Sequence, residues 1–198
     1  MANTNAPNGF SPVRRQDGAQ WMASDNVYQI DPTNATPIYY GDVVSMGTDG
    51  YIVKATAGTA AILGVFIGAE FTPNNNTTNA IVNYHKTWPG SGVAGGSGGT
   101  VRAFVIDDPM CVFVVQAGAS AITFANLFAN VQLNNGTPNT ATGLSGAYVE
   151  SPAVTTTLPF RVVGFVESPG IGYDNTSAYN RVYVVMNNQE FKVLGGKA

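Results

Sequence analysis

The amino-acid sequence predicts an all-β protein: an antiparallel β-sandwich or jelly-roll-like barrel, with an extended N-terminal arm and at most one short helix. Three observations predict it. Short segments rich in Val, Ile, Phe and Tyr recur along the whole chain, as half-buried strands do. The stretches between them are dense in turn residues, with 23 glycines and 11 prolines, which punctuate a chain that reverses often. Neither a solenoid-type repeat nor a shift in composition divides the sequence, so one domain of 175 residues, 24–198, follows an arm of residues 1–23.

The arm, MANTNAPNGFSPVRRQDGAQWMA, is rich in Asn, Pro and Gly, with isolated Phe10, Val13 and Trp21 and one basic spot at Arg14 and Arg15. Such a composition favours extended chain, either a frayed terminus or a segment that folds against a neighbouring subunit, and the aromatic residues favour the second. Residues 42–46 and 51–54 form strands around Gly47-Thr48-Asp49-Gly50, whose Asp-Gly pair supplies a hairpin turn. The run Ile62 to Phe71 reads as a buried strand bent at Gly64 and Gly68. After the polar loop 72–79, residues 80–88 form a further strand carrying exposed aromatics.

Val101 to Ile106 and Cys111 to Gln116 are β-branched segments joined by Asp107-Asp108-Pro109-Met110, and the turn chemistry predicts a second hairpin. In residues 119–133, Ile122, Phe124, Leu127, Phe128 and Val131 are spaced for one face of a short helix, with strand as the alternative. Residues 134–146 are turn-rich, 155–167 and 181–187 supply the last strands, and 195–198 form a loose tail.

Charged residues make up only 11% of the chain, against about 25% in ordinary globular proteins. The surface is therefore largely neutral and polar, which suits a protein that works assembled or outside a cell. A net charge of -3 argues against nucleic acid as a partner, because phosphate binding needs a basic face. No run of apolar residues is long enough for a signal peptide or a membrane span, so a soluble chain with no membrane partner is expected.

Candidate chemistry is sparse. Gly90 to Gly95 matches a dinucleotide fingerprint without the strand and helix that fingerprint needs, and reads as a flexible loop. Ser97 fits a nucleophile elbow, yet His85, the single histidine, precedes it where a hydrolase triad places histidine last. His85 reads as a surface or interface residue. Cys111, the lone cysteine, excludes an intrachain disulfide and reads as a buried, inert thiol. Asp107 and Asp108 lack the spacing of a calcium loop and read as turn residues, while Glu150, Glu167 and Glu190 are too scattered to nominate an acid-base pair. Asn34, Asn75, Asn76 and Asn175 match the glycosylation pattern but read as polar turns. Tyr39, Tyr40, Tyr84, Trp88, Tyr173 and Tyr179 flank loops and suit a protein interface or a sugar platform. No catalytic residue, cofactor or metal site is expected.

Several short blocks carry a resemblance. Met1-Ala2-Asn3 with Pro7 to Arg14, then Gly41 to Val44, Ala61 to Val65, Asp107-Asp108-Pro109, Thr142 to Ser145 and Val184 to Gln189 resemble blocks in a family of capsid decoration, or cement, proteins of tailed bacteriophages. The resemblance implies a β-sandwich or jelly-roll-like body without enzymatic activity. It also implies a symmetric oligomer on the outer face of the major capsid protein lattice of a virion assembled from parts made in the bacterial cytoplasm, and a homotrimer is expected in preference to a dimer. Phe10, Val13, Arg14, Arg15 and Trp21 are then the expected contacts to capsid or to a neighbouring protomer. A receptor- or glycan-binding module of a fibre or lectin-like kind is the alternative.

Overall fold

The computed structural model describes residues 3–21, 26–59, 61–72, 82–90, 100–167 and 174–192. Among them are twelve strands, numbered here in chain order, and two single 3-10 turns. The first sheet runs, in spatial order, β1 (Ser11–Arg15), β8 (Cys111–Gln116), β12 (Arg181–Met186), β11 (Phe160–Phe165), β9 (Asn130–Asn135) and β10 (Ala147–Ala153). The second runs β2 (Val27–Ile30), β7 (Val101–Ile106), β5 (Gly64–Phe71), β3 (Val43–Met46) and β4 (Ile52–Lys54), with β6 (Asn83–His85) paired to β5. Every ladder between these strands is antiparallel. The architecture is the expected all-β sandwich.

Alternation along the strands divides the apolar residues between two cores. Phe113, Val115, Phe160, Val162, Val182 and Val184 of the first sheet meet Val43, Val65 and Ile106 of the second. The neighbours Val44 and Phe66 point the other way, into a second cluster with Val101, Ala103, Val105, Ile38 and Trp88. The second sheet is therefore apolar on both faces, as a sheet covered on both sides must be. The first sheet curls so that an isolated bridge joins Ala117, just past β8, to Val149 of β10.

The β3–β4 hairpin forms as expected, with Met46 opposite Ile52 and Gly50 at φ +85° in its turn. Strand β5 is bent at the second expected glycine: the register shifts between Phe66 and Gly68, and a side chain at Gly68 would meet the Tyr84 ring. Gly64 allows close approach instead, since a Cβ there would collide with the Ile106 carbonyl of β7. Among the described residues no α-helix forms in 119–133. A 3-10 turn at Phe124–Asn126 leads into β9, with Ile122 and Val131 buried and Phe124 and Phe128 exposed.

Three expectations are corrected. Strands β7 and β8 are not a hairpin: β7 lies between β2 and β5 in one sheet, and β8 between β1 and β12 in the other. Turn chemistry at Asp107 to Met110 reverses the chain but does not specify the sheet it enters, and here it carries the chain across the sandwich. The buried Asp107 carboxylate anchors the crossing, accepting hydrogen bonds from Asn26 Nδ2 at 2.7 Å and the Tyr28 hydroxyl at 2.6 Å. Trp88, expected to be exposed, is fully buried, its backbone bridged to Ile38 and its indole N–H donating to the Asn34 carbonyl at 3.1 Å.

The third correction concerns the arm. Residues 11–15 form β1, an edge strand on this chain's own β8, and Phe10 lies fully buried, stacked 4.4 Å from Phe160 and edge-on to Phe113. Ahead of it, Ala6 N–H donates to the side chain of buried Gln116, which in turn donates to the Thr4 carbonyl. Asn3 reaches the carbonyls of Asp174 and Ala178. An extended segment leaves its backbone groups open, and β8 and Gln116 satisfy them within the same chain. Residues 22 and 23 lie outside the described residues, as do 73–81 with Asn75 and Asn76, 91–99 with Ser97 and most of the fingerprint, Tyr173, and the tail.

Candidate functional site

Cross-strand register brings separate parts of the sequence together on the outer face of the first sheet. Arg14 of β1 lies opposite Val112, Val112 opposite Val185, and Val185 opposite Arg161. Directly opposed residues share a face, so these four form one row across four strands, with exposed cations at its ends and the buried Val112 and Val185 between. Their neighbours Phe113, Val184 and Phe160 point into the core, which places the row on the outer side.

A shallow cleft of about 220 Å³ opens beside this row where β8 begins. Arg161 and Val163 come from β11 and Val185 from β12, while Met110, Phe128 and Lys192 close the cleft from the surrounding turns. The Arg161 Nε donates to Asn130 Oδ1 at 3.0 Å, and Lys192 Nζ to the Met186 carbonyl at 2.9 Å. Among the described residues neither cation has an ion-pair partner, nor does Arg14. Burial, and then the Arg161 charge beside it, hold the Lys192 ammonium below its ordinary pKa. Among the described residues, the cleft lining thus holds two cations and no carboxylate.

Phe128 adds a second signal. Its side chain is 66% exposed, yet its backbone sits at φ +65°, held there by an N–H donated to the Val162 carbonyl at 2.9 Å. A bulky residue in the left-handed region is an outlier, and such strain collects at binding and catalytic sites. Phe191, Met110 and Val13 are exposed as well. Apolar side chains among unpaired cations suit a protein surface that brings apolar groups and carboxylates.

The five expected contact residues divide. Phe10 is committed to the core and is removed from the contact set, because a fully buried ring has no surface to offer. Val13 is the extra residue where the β1 register shifts, and it is 41% exposed. Arg14 is exposed at the end of the row. Arg15 turns instead to Asp108 and Asp17, and Trp21 is half-buried against the first core. Phe128, Arg161 and Lys192 were not singled out as contacts by sequence, because residues 33 and 31 apart in sequence become neighbours only through sheet register and the closing turn.

The other sequence candidates lie elsewhere. Cys111 is fully buried, and burial, then Asp108, push its thiol up to about 12. His85 is half-buried and stacked 4.2 Å from Phe71. Tyr84 is exposed, and Tyr39 and Tyr40 lie beneath the ammonium groups of Lys54 and Lys86. Glu150 accepts from Asn134 at 2.6 Å. Among the described residues no cluster of His, Cys, Asp and Glu could hold a metal ion, and no helix is long and apolar enough to cross a membrane. No protein-family model, curated protein or solved structure matches the chain.

Proposed function

We propose that this chain is a non-catalytic structural protein of a tailed-phage virion, which binds the outer surface of the major capsid lattice and stabilises the expanded head. The observation that carries the reading is on the outer face of the first sheet: strained, exposed Phe128 beside the cations Arg161 and Lys192, which have no ion-pair partner among the described residues. Such a face suits a protein partner with apolar and acidic groups. The β1 edge beside it is blocked against random strand addition by Pro12 and by the register shift at Val13.

A shell repeats one site many times, so a homotrimer touching several capsid subunits gains effective concentration and needs only modest contacts from each. If its site is complete only on the expanded lattice, binding there stabilises that state by mass action. The low charge of the remaining surface keeps this attachment from depending on ionic strength elsewhere.

Co-sedimentation of the purified chain with emptied expanded capsids and with unexpanded procapsids tests the reading. Saturable binding to the expanded shell at a fixed ratio per capsid subunit is expected, weakened by Arg161→Glu and by Phe128→Gly. Absence of binding to both shells refutes it.

A further inference from the structure

A second cleft lies beyond the other end of β8, about 20 Å from the first along the strand, and it has a different chemistry. Its volume is about 430 Å³, within the range of small-ligand sites. Ala117, Gly118 and Gly136 form a floor almost without side chains, while Tyr148 and Tyr179 stand on it with Asn5 and Thr137. A Cβ on Gly118 would come within 3.0 Å of both the Glu150 carboxylate and the Tyr148 ring, and one on Gly136 within 2.6 Å of the Gly146 carbonyl.

The lining residues themselves are uncharged, and the Glu150 carboxylate lies beside the floor at Gly118. The Tyr148 and Tyr179 hydroxyls, the Thr137 hydroxyl and the Asn5 amide have no hydrogen-bond partner through their side chains among the described residues. Together they offer both donors and acceptors beside two aromatic faces. Burial, then Glu150 and Tyr179, hold the Tyr148 phenol above its ordinary pKa, so it remains a donor at neutral pH.

Tyr179 is also strained. It sits at φ +61°, with its N–H donated to the Gly118 carbonyl at 3.0 Å and its own carbonyl accepting from the buried Gln116 amide at 3.0 Å. Both clefts at the ends of β8 thus present one bulky aromatic residue in a left-handed conformation that the surrounding hydrogen bonds enforce.

We infer that this cleft binds a short neutral saccharide, with the apolar face of a sugar ring on Tyr148 or Tyr179 and its hydroxyls hydrogen-bonded to Asn5, Thr137 and the phenols. The absence of cations in the lining disfavours phosphorylated ligands, and donors and acceptors open to the cleft suit hydroxyl-rich rings better than an all-apolar ligand. This inference is independent of capsid binding, since it uses a different cleft.

A glycan array spanning neutral and acidic saccharides, followed by backbone amide NMR of the full chain with each binder at millimolar concentration, tests it. At least one neutral saccharide should shift the Gly118, Ala119 and Tyr179 amides saturably. Tyr179→Gly should weaken that binding by about tenfold or more while the melting temperature stays the same or rises, because glycine accepts the left-handed backbone. Asn5→Ala should weaken it without altering the fold. Binding of acidic saccharides only, binding unchanged in Tyr179→Gly, no saccharide binding, or a proline-rich peptide shifting these amides where saccharides do not would each overturn the inference.

Discussion

Replacing Phe10 by alanine separates a dangling arm from an integral strand. The ring is fully buried, stacked on Phe160 and edge-on to Phe113. A buried phenylalanine removes about 150–250 Å² from water, and at about 25 cal/mol per Å², less what alanine retains, its loss costs about 3–5 kcal/mol. That is a large share of the roughly 5–15 kcal/mol that holds a domain folded. With a urea slope of about 2–3 kcal/mol/M, the unfolding midpoint should fall by about 1–2.5 M at unchanged cooperativity. Equilibrium urea denaturation followed by circular dichroism reads it. A loss under about 1 kcal/mol would refute the assignment of Phe10 to the core. The same reasoning makes deletion of residues 1–20 a poor probe of capsid contact, because it removes β1 and Phe10 together; Arg14→Ala leaves the core intact.

Asp42 is fully buried, and its carboxylate holds Lys54 at 2.8 Å, the Tyr39 N–H at 2.8 Å and the Ser145 hydroxyl. Asp42→Ala strands the largely buried Lys54 ammonium and should cost about 3–5 kcal/mol by urea denaturation, and a cost within 0.5 kcal/mol, as at about any open surface site, refutes the role. Phe128→Gly relieves a left-handed penalty of about 1–2 kcal/mol against an entropic cost of about 0.5–1 kcal/mol. Stability should therefore hold or rise while capsid binding falls, and a loss above about 1 kcal/mol contradicts the strain argument. The Cys111 thiol, raised from 9.0 to about 12, keeps its proton in the folded state where the unfolded chain has lost it. Its contribution is complete below pH 9 and is lost as pH rises toward 12, and a disulfide reagent at pH 8 should label it only on unfolding; rapid labelling of the native protein refutes its burial.

Elements whose signals are local were legible in the sequence. The β3–β4 hairpin follows from an Asp-Gly turn between two apolar segments, and the bend in β5 from Gly68. Partner choice was not legible, because a turn such as Asp107 to Met110 dictates reversal and leaves open which edge the next strand joins. Strand β10 escaped notice because Ser151, at φ +54°, and Pro152 interrupt an otherwise strand-like run. Of the candidate site, Val13 and Arg14 were visible as apolar and basic residues in a polar segment. Arg161 and Lys192 were not, since isolated cations become a pair only when β11 and the turn after β12 are placed side by side.

The tie between Asn3 and the carbonyl of Asp174 spans 171 positions. Ribosomes add about 5–20 residues per second, so the first turns of this chain wait roughly 10–30 s before the residues that hold them have been made. Strand β1 likewise has no β8 to join until more than half the chain has been translated. During that interval Phe10 and the β1 backbone are exposed in the crowded cell, where the Pro12 and arginine-bearing edge gives other nascent copies little to pair with. Closure of the first sheet is therefore a late, post-translational event, and the chain is most vulnerable to chaperone supply and temperature before that closure.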